Sequence, residues 1–361
     1  MNTILPSIRL KALRITIFGL MMLSVGAAVP NASANVIIVS TTIQAAVDAA
    51  RPGDTVLVPA GTYRENVRVT KDNLTIRGSQ AAVLDGTGLA GNTGIRVGAP
   101  TPATRINGFT ISGMTIQNYS RNGLLLLRVD NFSISDGSYL NNDEYGIFPV
   151  FSTGGLIASD RVLASDDAGI YVGQSSGVVI ERNDVRGCTS GIEIENSSNV
   201  SARKNTLEGN SIGMLVQVLP GLSVTATSNI VVTDNRLIGN NRPNLITDPD
   251  EILSLLPSGV GFLNVGGDRV MVWRNITIEN HTAGIVVAQL PSALAALDPR
   301  INPFPDDNEI RDNVAIQNGD APDPKIAPFP GSDLLWDGSG AGNCWAGNIF
   351  KTSFPALPGC P

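Results

Sequence analysis

A glycine followed by alternating β-branched or apolar residues returns along the middle of the chain at an almost constant interval. It appears in Gly123-Leu124, Gly146-Ile147-Phe148, Gly169-Ile170-Tyr171-Val172, Gly191-Ile192-Glu193-Ile194 and Gly213-Met214-Leu215-Val216, at spacings of 23, 23, 22 and 22 residues. Gly94 precedes the series, and Gly261 and Gly284 resume it 23 residues apart after one insertion. A fixed period of this size means that each unit buries its apolar face only against the next, so the chain grows as a solenoid. That removes the usual expectation that 361 residues divide into two or more globular domains. Leucine-rich repeats share the period but need a Leu-x-x-Leu-x-Leu framework, which these β-branched segments lack.

Strand alternation then assigns facing. Ile147, Ile170, Ile192, Met214 and Ile285 stand one after the glycine, and Pro149, Val172, Ile194, Val216 and Val287 three after it. These columns point inward, and positions two and four after the glycine point outward. A second marker runs alongside: Asn183, Asn205, Asn235, Asn275 and Asn313 follow strand segments, and Asn210, Asn240, Asn280 and Asn318 lie five residues after the last four. Asparagine tolerates left-handed turns, and its amide can bond the equivalent amide one coil away, so these residues are assigned to stacked corners and to no chemistry. The expected fold is all-β, a single right-handed parallel β-helix with coils of about 22–23 residues. Residues 42–50, Thr-Ile-Gln-Ala-Ala-Val-Asp-Ala-Ala, read as an amphipathic helix that covers the first coil.

Composition excludes other classes. With 42% hydrophobic and 16% charged residues the chain is not disordered, and one histidine and three cysteines exclude zinc fingers and disulfide-dense toxins. Arg9, Lys11 and Arg14, the apolar stretch Ile15 to Val29 and the small-x-small site Ala32-Ser33-Ala34 read as a secretory signal peptide over 1–34. The alternative, an uncleaved anchor, is disfavoured because the run falls short of the ~20 residues that span a bilayer. Cleavage would move the net charge from −7 to −10, which leaves nucleic acid an unlikely partner. The expected location is secreted or periplasmic, with no membrane contact after cleavage and a monomeric chain. Residues 35–340 are expected to form the β-helix and 341–361 a C-terminal cap, where a Cys344–Cys360 disulfide would close a loop of about 17 residues and contribute ~3 kcal/mol. Cys188, within the repeat, reads as a buried, inert thiol.

Thr42-Ile43-Gln44-Ala45-Ala46-Val47, Pro52-Gly53-Asp54-Thr55-Val56 and Pro59-Ala60-Gly61-Thr62-Tyr63 resemble the opening of right-handed parallel β-helix proteins of the pectin-lyase-like superfamily. Residues 167–174, Asp-Ala-Gly-Ile-Tyr-Val-Gly-Gln, followed by 191–196, Gly-Ile-Glu-Ile-Glu-Asn, are similar to a group of exported bacterial β-helix-repeat proteins. The resemblance covers nearly all of the chain after residue 34. It implies a carbohydrate-directed activity without fixing the reaction, since the superfamily holds lyases, hydrolases, epimerases and proteins with no demonstrated reaction. The Asp-Pro-His-Asp motif of mannuronan epimerases is absent: Tyr145-Gly146-Ile147 is followed by Phe148-Pro149-Val150-Phe151. The polygalacturonase Asn-Thr-Asp and Gly-His-Gly patterns are also missing. His281, the sole histidine, reads as a corner residue.

Loop lengths place a trough. The coils from Gly94, Gly213 and Gly284 are extended around 99–105, 219–228 and 290–307, whereas those from Gly146, Gly169 and Gly191 are short at that corner. Long loops at both ends of a short-cornered stretch would form walls for an extended sugar chain. The outward column beneath supplies Phe148, Tyr171 and Gln217 as substrate contacts, with Gln174 just past it, and Glu193 and Glu195 as candidate catalytic carboxylates, joined by Asp166 and Asp167 at the corner where Asp143 and Glu144 precede the neighbouring strand. Asp143 and Asp166, one coil apart, are a candidate calcium pair if buried; a solvated acidic corner is the simpler expectation, and no other cofactor is implied. The insertion 241–258 carries helix-like apolar spacing at Ile252, Leu253, Leu255 and Leu256, at the opposite corner and with no readable role. The resulting expectation is an exported protein that binds or processes polysaccharide, lyase- or hydrolase-like on uronate-containing or neutral glycan. The alternative is a non-catalytic surface or matrix solenoid that binds glycan or protein.

Overall fold

The structure, a computed structural model, describes residues 34–99, 101, 103–246 and 252–361. The expected signal peptide lies outside the described residues except for Ala34. Among the described residues, three parallel sheets of twelve, eleven and eleven strands run the length of the molecule, and the chain visits each once per coil. One sheet is built from the glycine-led strands, with Ile147 paired to Ile170, Ile170 to Ile192 and Ile192 to Met214 in unbroken register. These side chains and the second inward column, Val172, Ile194 and Val216, are fully buried in one continuous core.

The glycine that marks the period has a steric cause. A Cβ on Gly191 would stand 2.5 Å from the carbonyl oxygen of Gly213, the equivalent glycine of the next coil. Only glycine allows the coils to approach this closely.

The asparagines form two ladders. Asn183 Nδ2 donates to Asn205 Oδ1, Asn205 to Asn235, Asn235 to Asn275 and Asn275 to Asn313, all at 2.9–3.0 Å. The second ladder runs Asn210, Asn240, Asn280, Asn318 and ends on the carboxylate of Asp333. Each buried amide is thereby satisfied, which avoids a desolvation cost of ~1–3 kcal/mol per group. The left-handed residue at these corners is not the asparagine, as its turn preference suggested, but the one before it: Arg182, Lys204, Asp234, Arg274 and Asp312 have φ between 52° and 57°. The amide is needed for the ladder, and its neighbour takes the turn.

The helix Ile43–Ala49 caps the first coil, with Ile43, Ala46 and Val47 buried and Thr42 accepting from the Ala45 N–H. At the other end Cys344 and Cys360 are bonded and the Trp336 and Trp345 rings lie 5.5 Å apart. The strands Cys344–Ala346, Ile349–Phe350 and Ser353–Phe354 extend all three sheets, so the last coil runs across the boundary expected at 340. No helix of the described residues is long and apolar enough to cross a membrane.

Candidate active site

The outer face of the glycine-led sheet is not open. The loop after the strand Ile212–Gln217 reaches over it with Leu219, and the 241–258 insertion reaches over it from the opposite edge with Ile246, Ile252 and Leu253. Together they enclose a cleft of about 600 Å³ whose floor holds Tyr145, Tyr171, Glu193 and Glu195 and whose rim holds Asp143, Glu144, Asp166 and Asp167. Two expectations change. Among its described residues the 241–258 insertion forms a short 3₁₀ turn, Ile252–Leu255, and with Ile246, Ile252 and Leu253 it is a wall of this cleft, whereas the described residues of the 99–105 loop do not line it. The outward column is also no solvated row: Glu193 is 1% exposed, Glu195 7%, and Tyr171 and Gln217 are equally covered. Facing was correct, because Glu193 and Glu195 lie opposite the core residues Ile192 and Ile194, but the loops turn that outer face into an interior.

Register brings the groups together. Tyr171 pairs with Glu193, and Gly173 with Glu195, in the next coil. A Cβ on Gly173 would occupy the space of the Tyr171 ring. Glycine there lets the ring lie along its own strand and carry its hydroxyl to Glu195 Oε1, to which it donates at 2.5 Å. Gln174 Nε2 also donates to Oε1, at 3.3 Å. From the following coil, Gln217 Nε2 donates to Glu193 Oε1 at 2.7 Å and approaches Glu195 Oε2 at 3.4 Å. Glu193 Oε2 has no hydrogen-bond partner. Tyr145, Phe148 and Tyr171 form an aromatic cluster beside the acids, with ring centroids 4.3–5.2 Å apart. Tyr145 was not anticipated, and neither were the apolar walls.

Burial is the main cause raising the Glu193 carboxyl well above its usual range, and the Asp167 and Glu195 charges add to it. Burial also raises Glu195, but the Tyr171 hydroxyl and Gln217 amide oppose the rise by bonding its charged form. Thus a single proton shared by the two acids rests on Glu193, and Glu195 carries the charge. Burial and these carboxylates likewise push both tyrosine hydroxyls upward, so they act as donors.

Asp143 and Asp166 do stack, the Asp166 N–H donating to the Asp143 carbonyl at 2.6 Å, but both side chains are exposed. Asp166 is paired with Arg242 at 3.2 Å, and among the described residues no group of three His, Cys, Asp or Glu side chains could hold a metal ion. The calcium pair is therefore not assembled; solvent and Arg242 balance this corner instead. His281 is exposed at a distant corner, where its N–H bonds Asn241. Cys188 is free and fully buried, and burial raises its thiol to about 11.

A family model described as "Right handed beta helix region" matches residues 62–219. No curated protein matches the chain by sequence. Among solved structures the chain is similar to the A-module of the Azotobacter vinelandii mannuronan C-5 epimerase AlgE4, at TM-score 0.58 and 16% identity over 88% of this chain and 94% of that one. It is similar to DFA-IIIase from Arthrobacter chlorophenolicus A6 at TM-score 0.58 and 12% identity, over 91% of this chain and 86% of that one. The AlgE6 A-module of A. vinelandii follows at TM-score 0.53 and 15% identity, covering 88% and 92%. Together with the three parallel sheets, these matches define the fold of the chain as a right-handed parallel β-helix. At such identities the likeness concerns fold.

Proposed function

We propose that this protein is a glycoside-cleaving enzyme acting on a neutral glycan. The observation that carries the reading is the buried pair Glu193 and Glu195, which share the Gln217 amide while Tyr171 bonds only Glu195. One acid is thereby kept protonated and the other charged, as the general acid and its partner require in glycosidic cleavage. The Glu193 proton passes to the departing glycosidic oxygen. Oxygens that share one donor at 2.7 and 3.4 Å lie within about 6 Å of each other, too close to seat a water between the carboxyl groups. Glu195 therefore attacks the anomeric carbon itself, and water then releases the glycosyl ester with Glu193 as base. The products retain the anomeric configuration.

Charge supports the choice of substrate. Among the described residues six carboxyl groups line the cleft, and the nearest cations, Arg121 and Arg242, are paired with the rim carboxylates Glu144 and Asp166, so the acidic excess repels a polyuronate. The solved structures of similar fold include a mannuronan C-5 epimerase and DFA-IIIase in complex with GF2, and both support a carbohydrate substrate for this fold. Export to the periplasm or beyond belongs to the same reading, supported by the Cys344–Cys360 disulfide. The test is reducing-end release from a panel of neutral and uronate polysaccharides. Turnover of a neutral member that falls at least ~10³-fold in Glu193→Gln and Glu195→Gln supports the proposal. Turnover confined to polyuronates, or retention of a glycan without any product, overturns it; the latter outcome would make the chain a binding solenoid.

A further inference from the structure

Beyond the acidic cleft, the same outer sheet face turns apolar. In the register of Glu193 the next coils place Leu215, Leu263, Val286 and Leu335, and the floor of the sheet becomes hydrocarbon at the coil of Gln217. These residues form a hydrophobic cluster of their own, outside the helix core, against which Leu256 and Phe329 pack from covering loops. Among the described residues the cover leaves a groove of about 360 Å³, floored by Leu263 and Val286 and walled by Leu256, Leu294 and Phe329. Leu219 and Ile252 line both this groove and the acidic cleft, so the two are neighbouring parts of one depression. Two charged residues stand at its margin: Lys325 is turned to the Leu256 carbonyl at 2.9 Å, and Asp337 accepts from the N–H groups of Gln289 and Ser339.

We propose that the groove receives an apolar aglycone, so that the substrate is an amphiphilic neutral glycoside with its sugar over Glu193 and Glu195 and its hydrocarbon part over Leu263 and Val286. The proposal rests on the glycoside-cleaving reading above, and the position of the groove argues for this occupant. With coils ~4.8 Å apart, Leu263 lies two coils, roughly 10 Å, from Glu193, the length of an extended alkyl chain of about eight carbons. A concave apolar cavity continuous with a polar one fits the two halves of a single amphiphile better than it fits a separate ligand.

The experiment is titration calorimetry with methyl, hexyl and octyl β-glucoside below their micelle concentrations. Affinity for the wild type should climb by roughly fourfold for each methylene added, as burial of hydrocarbon dictates. The same slope is expected in Glu193→Gln, which separates this test from that of catalysis: loss of turnover there speaks to the acid role, and the chain-length slope speaks to the groove. Leu294→Glu and Phe329→Glu, both on covering loops outside the β-helix, should weaken octyl glucoside at least tenfold while leaving methyl glucoside unchanged. A flat chain-length series in the wild type, or unchanged octyl binding in both variants, overturns the proposal. Sedimentation of the same samples names the other occupant: a wild-type dimer that Leu294→Glu converts to monomer would mean that a second copy fills the groove, and would overturn it as well.

Discussion

Asp160 is a carboxylate outside the cleft whose replacement should stabilise this protein. It stands at the head of the first asparagine ladder, where every later position is an amide: its N–H donates to Asn183 Oδ1 at 2.9 Å, and its Oδ1 accepts from the Gly137 N–H at 2.8 Å. The side chain is buried, the residue being 2% exposed, and Oδ2 meets no donor. At the equivalent site one coil on, Asn183 uses its Nδ2 to satisfy the Ile157 carbonyl, a bond that an ionised aspartate cannot make. Burial, reinforced by the Asp136 charge, raises the Asp160 carboxyl to about 8. A folded-state value above the unfolded value of 3.8 means that the folded protein binds the proton more tightly. The associated stability is complete below 3.8 and is lost as pH rises to 8. At 1.36 kcal/mol per pH unit the loss is about 2 kcal/mol at pH 5 and about 4 kcal/mol at pH 7, upper figures for a group of this burial. Asp160→Asn removes the titration and supplies the missing donor. Thermal melts of both proteins at pH 5, 7 and 9, at matched scan rates, should show the variant ahead by a margin that widens to pH 8 and then levels. A margin independent of pH, or a variant less stable at pH 7, would refute the assignment of an ionisation penalty to this site.

Gly173→Ala should expel the Tyr171 ring from its place over the strand and lower turnover at least ~10²-fold with a melting shift of only a few degrees, because the displaced contact is with the site and not the core. Ile192→Asp, which sets an unpaired charge in the aliphatic stack, should prevent folding, whereas Glu193→Gln should give a folded protein with a wild-type circular dichroism spectrum; equal damage would refute the facing of this strand. Cys360→Ser opens the C-terminal loop and should lower stability by about 3 kcal/mol in denaturant titration, with no change in turnover.

The period was legible because its cause is local. Glycine at each coil is imposed by the carbonyl of the next, and the asparagine ladders by buried amides that need partners, so both recur in the sequence at the coil spacing. The composition of the site was legible for the same reason, since alternation from Gly191 sends Glu193 and Glu195 to the outer face. Their burial was not legible. The covering residues Leu219, Ile246, Ile252 and Leu253 come from aperiodic stretches, and nothing in a loop's sequence states which face it folds over. Tyr145 was missed because strict alternation places it opposite to Phe148, three residues on, whereas the two rings are 4.3 Å apart on one face. The signal available was its position immediately before a marker glycine, where the strand begins and alternation has no earlier residue to fix its phase. The calcium pair failed for a charge reason: Arg242, from the same unread insertion, takes Asp166.

The most direct test is a crystal structure of the Glu193→Gln variant with the neutral oligosaccharide that the wild type cleaves. The account predicts a sugar ring stacked beside Tyr171, with the scissile oxygen within hydrogen-bond distance of residue 193 and the anomeric carbon facing Glu195. An oligosaccharide bound on another wall of the β-helix, with the Glu193 and Glu195 cleft filled only by water, would contradict it.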